Sequence, residues 1–426
     1  MNKQWAAYQD SQAFAARVAT LYGNGESVLS AQKERYGKLV ERFEKRFGEM
    51  DNLCFFSAPG RTEIGGNHTD HNNGRVLAAA VNLDTIACVA KTDDNVIVVD
   101  SEGFPPITVK IDGLDVRPAD FGTTFSLIRG TAGIMKDMGY KIGGFRATVS
   151  SSVLRGSGLS SSAAFEVLMC AILDGLYNGF VIDSKTRAVI SQKVENIYFG
   201  KPCGLLDQMA SSVGGMVTID FAEADAKVEA ISCDFAAKGY ALCVVNTGGN
   251  HGDLTDDYAA IRTEMEAVAA QFGKKCLREV EPEEFEENIG KLRKAVGDRP
   301  VLRAMHFYDD NARVVEQVAA IKSGDLYKFF DAVKRSGDSS WKLLQNVYAR
   351  PTEEQMAMGI ELSRRFLGGD GAQRVHGGGF AGTIQAYVPM GRLSAYVEMI
   401  EGAFGKGSCQ PLMIRPEGAV MMPMEA

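Results

Sequence analysis

What this 426-residue chain has little of narrows its function first. It has no surplus of positive charge: 46 Lys and Arg against 54 Asp and Glu leave a formal net charge of -8. Nucleic-acid phosphates require a basic face, so no nucleic-acid partner is expected, and a polyphosphate ligand must be held by local structure and a cation. No run of about 18 apolar residues occurs, so no membrane partner or spanning helix is expected. Residues 1–10 lack the basic-then-apolar layout of a secretory signal, and a cytoplasmic location is the expectation. The cysteines, at 54, 88, 170, 203, 233, 243, 276 and 409, include no CxxC pair, and several sit in apolar runs as small buried residues do in a reducing compartment. No internal repeat or low-complexity tract stands out. The Walker ending, Gly-Lys-Ser or Gly-Lys-Thr at the required spacing, is also missing.

What is present is a set of three unusual tracts. Arg155-Gly156-Ser157-Gly158-Leu159-Ser160-Ser161-Ser162-Ala163-Ala164 runs straight into the helical apolar pattern Phe165, Leu168, Met169 and Ile172. Three hydroxyls and small residues at a helix start let backbone N–H groups approach an anion, with the helix dipole favouring negative charge. This tract is read as a nucleotide phosphate cradle. A second tract, Val375-His376-Gly377-Gly378-Gly379-Phe380-Ala381-Gly382, precedes a strand-like run at 383–388. A third, from Ala58-Pro59-Gly60-Arg61 to Asn67-His68-Thr69-Asp70-His71, is dense in groups able to bind a polyol.

At 426 residues, with 45% apolar and 23% charged residues, the chain is long for one core. Two domains are expected, 1–215 and 216–426. A helix capped by Ser30, with Tyr36, Leu39, Val40, Phe43 and Phe47 on one face, is expected to stop at Gly48. Short strands follow at 54–56, 76–81, 85–91, 96–100 and 107–111, then a helix over 124–137 and a strand over 145–150. A helix over 185–199 leads into Cys203-Gly204-Leu205-Leu206-Asp207-Gln208. Strands are expected at 216–220 and 240–246, helices dominate beyond, and 411–414 with 418–422 read as a closing hairpin.

The tracts, in this order and spacing, resemble the GHMP kinases, the superfamily of galactokinase, homoserine kinase and mevalonate kinase. Gly158 to Ala163 match the phosphate loop and Gly377 to Gly382 the C-terminal glycine motif. More narrowly, Ala58-Pro59-Gly60-Arg61 with His68-Thr69-Asp70 looks like the galactokinase signature. Cys203-Gly204 with Asp207-Gln208 resembles that family's catalytic segment, and Asn246-Thr247, His251, Tyr258 and Arg262 a fourth pattern. Three departures stand out: Asn67 and His71 replace the usual Glu and Tyr, Glu63-Ile64-Gly65 replaces Asn-Leu-Ile, and Leu154 stands where Pro or Lys is common. The resemblance implies an α+β, two-domain GHMP kinase fold with mixed and antiparallel sheets and the active site between the domains.

It also implies a sugar 1-kinase using ATP and Mg²⁺. Asp207 and Arg61 are then catalytic, and Asn67, His68, Asp70, Gly204 and Tyr258 bind the sugar. Gly156, Ser157, Gly158, Leu159, Ser160, Ser161, Ser162 and Ala163 hold ATP, with Ser162 at the metal. D-Galactose is the first candidate substrate. In the family the Glu replaced by Asn67 helps hold the primary hydroxyl, so N-acetylgalactosamine, galacturonate and L-arabinose are alternatives, as is a non-catalytic sugar sensor. The oligomeric state is not legible.

Overall fold

The computed structural model describes residues 2–153, 158–201, 203–223, 225–249 and 254–424. Two apolar stretches organise the first half. β1 (Cys54–Gly65) is buried at every position, and β2 (Arg75–Thr92), rich in Ala and Val, is buried over most of its length. They pair antiparallel at the centre of a sheet ordered β12-β1-β2-β5-β3-β4, to which β6 and β7 attach through β2. The other strands are β3 (Val96–Ser101), β4 (Ile107–Lys110), β5 (Gly144–Ser151), β6 (Met216–Asp220), β7 (Lys227–Ile231) and β12 (Val420–Pro423). β3 runs parallel to β5, so the sheet is mixed.

Both faces of this sheet are covered. On one lie α4 (Thr124–Asp137), α5 (Ser161–Asn178) and α6 (Ser184–Val194), burying Leu127, Val167, Leu168, Ile172 and Ile190 against Phe56, Ala87 and Val149. Beside them α7 (Leu206–Val213) carries Asp207 in its first turn. On the other lie α1 (Lys3–Tyr8), α2 (Gln12–Tyr22) and α3 (Glu26–Phe47), whose Trp5, Phe14, Tyr36, Leu39 and Phe43 pack on Phe55, Ile86 and Cys88. The first fifty residues thus close the back of the sheet. Helix α3 begins at Glu26, a turn before Ser30, and stops at Gly48, whose φ of 81° suits a residue without Cβ.

A second, antiparallel sheet, β11-β8-β10-β9, comprises β8 (Tyr240–Asn246), β9 (Ala372–Val375), β10 (Thr383–Pro389) and β11 (Cys409–Leu412). Helices α12 (Gln355–Leu367) and α13 (Leu393–Phe404) cover one face. α10 (Asp298–Ser323) and α11 (Leu326–Ser339) fill the space towards Ile64, Leu77 and Met216 of the first sheet. α8 (Thr255–Ala270) and α9 (Pro282–Val296) pack on α10. The architecture is α+β with mixed and antiparallel sheets, as expected.

Three expectations change. A cut at residue 215 does not follow the sheets, because β6, β7 and β12 all belong to the first one. The tail is no hairpin: β11 pairs with β8, whereas β12 pairs with β1. The helix expected over 185–199 ends at Val194 and finishes in one wider turn, Glu195–Phe199, stopped by Gly200 at φ 78°.

The expected strands 76–81 and 85–91 are one strand, because Asn82 and Asp84 spend their polar groups on tertiary partners. Asn82 exchanges hydrogen bonds with Met413. Asp84, fully buried, accepts from Tyr22, Ser57, Arg35 at 2.6 Å and Arg415 at 3.0 Å. Burial raises its carboxyl, but the two guanidiniums and these hydrogen bonds outweigh that and hold it below the ordinary range. Asp84→Asn leaves the buried Arg415 and the half-buried Arg35 without a carboxylate and is expected to lower unfolding stability by ~3–5 kcal/mol in urea titration. Because the native value is depressed, the wild-type advantage holds above the ordinary carboxylate value of about 4 and is lost as pH falls through the native one.

Candidate active site

The site starts from an irregularity in β1. The ladder with β2 shifts register between Pro59 and Arg61, and Arg61 N–H bonds instead to Leu159 O at 3.0 Å. Such a bulge re-aims the next side chain. Gly60 is required there, since a Cβ would lie 2.9 Å from Leu159 O. The redirected Arg61 donates from Nε to Asp207 Oδ1 at 2.7 Å and from Nη1 to Gly158 O. Ser160 donates to the other oxygen, Oδ2. Ser160 itself is left-handed, φ 55°, a conformation costing a non-glycine residue about 1–2 kcal/mol, and it immediately precedes α5. Burial pushes the Asp207 carboxyl up, but Arg61 and Ser160 more than reverse this, so it is ionised at neutral pH.

The glycine tract meets the polyol tract directly. Three successive carbonyls of the loop accept from them: Gly377 O from Asn67 Nδ2 at 2.8 Å, Gly378 O from His68 Nε2 at 2.9 Å, and Gly379 O from the Tyr258 hydroxyl at 2.8 Å. His68 Nε2 therefore carries its proton. Burial and the neighbouring His71 push its imidazole down to about 4, so it is neutral with Nδ1 available as an acceptor. The loop is anchored to the phosphate cradle through His376, held between Thr62 Oγ1 at 3.0 Å and Thr383 Oγ1 at 2.9 Å. A Cβ on Gly158 would fall 2.9 Å from the His376 ring, so the two glycine tracts touch. Asp70 closes the opposite side: its Oδ2 would sit 2.2 Å from a Cβ on Gly204.

Asn67 does not behave as expected. It is fully buried, and every hydrogen-bonding position of its amide has a protein partner. Nδ2 donates to Glu63 Oε1 and Gly377 O, and Oδ1 accepts from Ser340 at 3.2 Å and Asn346 at 2.8 Å. A sugar contact at this side chain would require breaking one of these bonds. The acid has moved four residues back: where the family usually has Asn at 63 and Glu at 67, this chain has Glu63 and Asn67. Glu63 pairs with the fully buried Arg374 at 2.9 Å.

Other expected residues divide as follows. Leu159 and Ala163 are buried supports, Ser161 is half-buried, and Ser162 presents an exposed side chain in the first turn of α5. Leu154, Arg155, Gly156, Ser157 and His251 lie outside the described residues. Arg262 turns to Glu266 on the surface. Burial and Glu195 raise the Cys203 thiol, so it is no nucleophile.

The sequence reading missed the acids behind Asp207. Gln208 Nε2 bridges two buried carboxylates, Glu166 at 3.2 Å and Glu195 at 2.8 Å, and Lys201 Nζ stands 3.4 Å from Glu195 Oε1. Glu166 Oε1 has no hydrogen-bond partner among the described residues. A Glu in the aromatic stretch before Gly200-Lys201 was the available signal. Buried oxygen donors beside an exposed serine hydroxyl suit a hard cation. Among the described residues no three His, Cys, Asp or Glu side chains form a metal cluster, so most ligands of such a cation would come from nucleotide and water.

Known proteins resemble this chain in sequence and in fold. Residues 41–91 match the galactokinase galactose-binding signature and residues 126–215 the GHMP kinase N-terminal domain. A galactokinase from Glaesserella parasuis is 31% identical over 375 residues, spanning 86% of this chain and 92% of that protein. The chain belongs to the galactokinase family. A galactokinase from Streptomyces coelicolor is 29% identical over a similar span. In fold, a Lactococcus lactis galactokinase solved with galactose superimposes with a TM-score of 0.79 at 24% identity, covering 91% of this chain and 99% of that one. A mevalonate kinase gives a TM-score of 0.59 at 15% identity, covering 87% and 98%.

The exchanged acid gives this galactokinase family member a pH signature. Burial pushes the Glu63 carboxyl up to about 7, despite the opposing charges of Arg374 and Arg61. The folded state then binds this proton more tightly than the unfolded one, whose value is about 4.3. Stability from this group is greatest below the unfolded value and falls as pH rises towards 7. Tm measured between pH 5 and 8 is expected to fall more steeply for wild type than for Glu63→Gln; parallel curves would refute this.

Proposed function

We propose that the chain is an ATP-dependent galactose 1-kinase, forming galactose 1-phosphate and ADP. One observation carries the reading: an ionised carboxylate, Asp207, sits in an ion pair with Arg61 and in direct hydrogen bond with the serine-rich start of α5. Phosphoryl transfer asks a protein for positioning and charge neutralisation more than for covalent chemistry.

In this reading the sugar lies among Asp70, His68, Gly204 and Tyr258, with its anomeric hydroxyl at Asp207. Each Asp207 oxygen keeps a second lone pair for that hydroxyl. The depressed carboxyl is a weak base, so it orients the hydroxyl and takes its proton as the new O–P bond forms. Arg61 keeps Asp207 ionised and faces the negative charge of the phosphoryl group. Gly158 to Ala163, with Gly156 and Ser157, hold the triphosphate through backbone N–H groups and the α5 dipole. Ser162 would be the protein donor for Mg²⁺, with the remaining ligands from nucleotide and water, and the ion when bound would supply positive charge to the β- and γ-phosphates. The eight free cysteines suit a cytoplasmic enzyme, and no helix among the described residues is long and apolar enough to cross a membrane.

Asn67 favours a second reading, a kinase for another galacto-configured sugar. With its amide saturated and the acid withdrawn to Glu63, nothing at this position offers a carboxylate to a primary hydroxyl. kcat/KM across galactose, L-arabinose, N-acetylgalactosamine and galacturonate separates the two. Galactose is expected to lead, with L-arabinose, which lacks that hydroxymethyl, next; a clear lead for any other sugar replaces galactose as substrate.

Asp207→Asn and Asp207→Ala are expected to lose ~10²–10⁴-fold in kcat in a coupled ADP-release assay, with the fold retained by circular dichroism. Near-wild-type turnover in both would defeat the assignment. No ADP release by wild type with any sugar would favour the sensor.

A further inference from the structure

Arg61 reaches the site with much of its hydrogen-bonding capacity committed, Nε to Asp207 and Nη1 to Gly158 O. A second cation stands close by. Gly200, left-handed at φ 78°, ends the wide turn after α6, and Lys201 N–H returns to Glu195 O at 3.1 Å. This turn lays the Lys201 side chain along Glu195, with Nζ 3.4 Å from Oε1 and the side chain 66% exposed. The other Glu195 oxygen is bound by Gln208, the residue after Asp207, and Gln208 in turn grips Glu166 one turn inside the serine-opened end of α5. The chain Lys201, Glu195, Gln208, Glu166 therefore links an ammonium to the residue after Asp207 and to the first turns of α5, the two elements a transferring phosphoryl group has to lie between. The lysine charge also acts on both acids, as the last of several influences: Asp207 ends below its ordinary value, while burial and Glu195 hold Glu166 well above its own.

We propose that Lys201 is a further catalytic residue of this reaction, its ammonium contacting the non-bridging oxygens of the terminal phosphate of ATP. The inference rests on the kinase reading above. During transfer the anomeric oxygen bonds to the γ-phosphorus and the bond from that phosphorus to the β–γ bridging oxygen breaks. The electron pair leaves with ADP, and the hydroxyl proton passes to Asp207. Charge on the moving group stays on its three equatorial oxygens, where an ammonium held by Glu195 is pre-positioned and still has two donors to offer. A surface lysine serving only to pair with Glu195 would add little, since exposed pairs contribute weakly.

The test compares wild type, Lys201→Met and Lys201→Arg. Loss of one preorganised charge-stabilising donor is expected to lower kcat by ~10–100-fold in Lys201→Met and to raise the KM for ATP, with the galactose KM within about twofold and Tm unchanged. Lys201→Arg is expected to recover part of kcat. Titration of ATP in EDTA is expected to show several-fold weaker binding to Lys201→Met, a readout independent of turnover and metal. Retention of kcat and of ATP affinity within twofold overturns the proposal, as does a loss that follows Tm or the galactose KM instead. If wild type releases no ADP with any sugar, the kinase reading fails, and the EDTA titration still decides whether Lys201 holds phosphate.

Discussion

The ion pair between Arg61 and Asp207 is the contact on which the rest of the site depends. It joins three pieces of chain that have no local reason to meet: β1 at its register shift against β2, the loop before α5, and the first turn of α7. Arg61 is buried, and an isolated guanidinium there would be costly. The carboxylate offsets that cost and is itself kept ionised, so one contact fixes geometry and protonation together. The strained conformation of Ser160 persists because Asp207 holds its hydroxyl.

Around this pair the protein invests polar groups rather than apolar ones. The end of β1 is tied to the second sheet by Thr62, Glu63 and Ile64, which engage His376, Gln385 and Arg374. These bonds fix the glycine loop against the polyol tract with a directionality that apolar packing lacks. The exchange of acid and amide between positions 63 and 67 preserves a mutual hydrogen bond while turning the carboxylate towards Arg374. The tie between the sheets thereby carries the acid and the Arg374 guanidinium, and the face towards the sugar carries an amide in the acid's place.

The phosphate cradle, the glycine tract and the signature were legible because glycine and serine at a helix start have few other uses, and the β-rich runs at 96–100 and 216–220 marked strands directly. The geometry of Asp207, Arg61 and Ser160 was legible only through resemblance, since residues 61, 160 and 207 are joined by tertiary contact alone. The partners of Asn67 were not legible because spacing says nothing of where an amide points; Ser340 and Asn346 lie far along the chain. Lys201 and Glu195 went unnoticed since a lone Glu and a lone Lys near a turn look like solvated charges. Sheet membership was not legible because β-pairing is non-local: β6 and β12 find their partners β2 and β1 across long separations.

That last strand has a consequence for biosynthesis. β12 completes one edge of the first sheet, Val420, Met422 and Met424 seal the core beneath the N-terminal helices, and Arg415 neutralises Asp84. A ribosome makes these residues long after β1 and β2. The opening half of the polypeptide must therefore wait, emerged but unsealed, until they follow, and a message truncated before them yields a product whose older part is still unfinished.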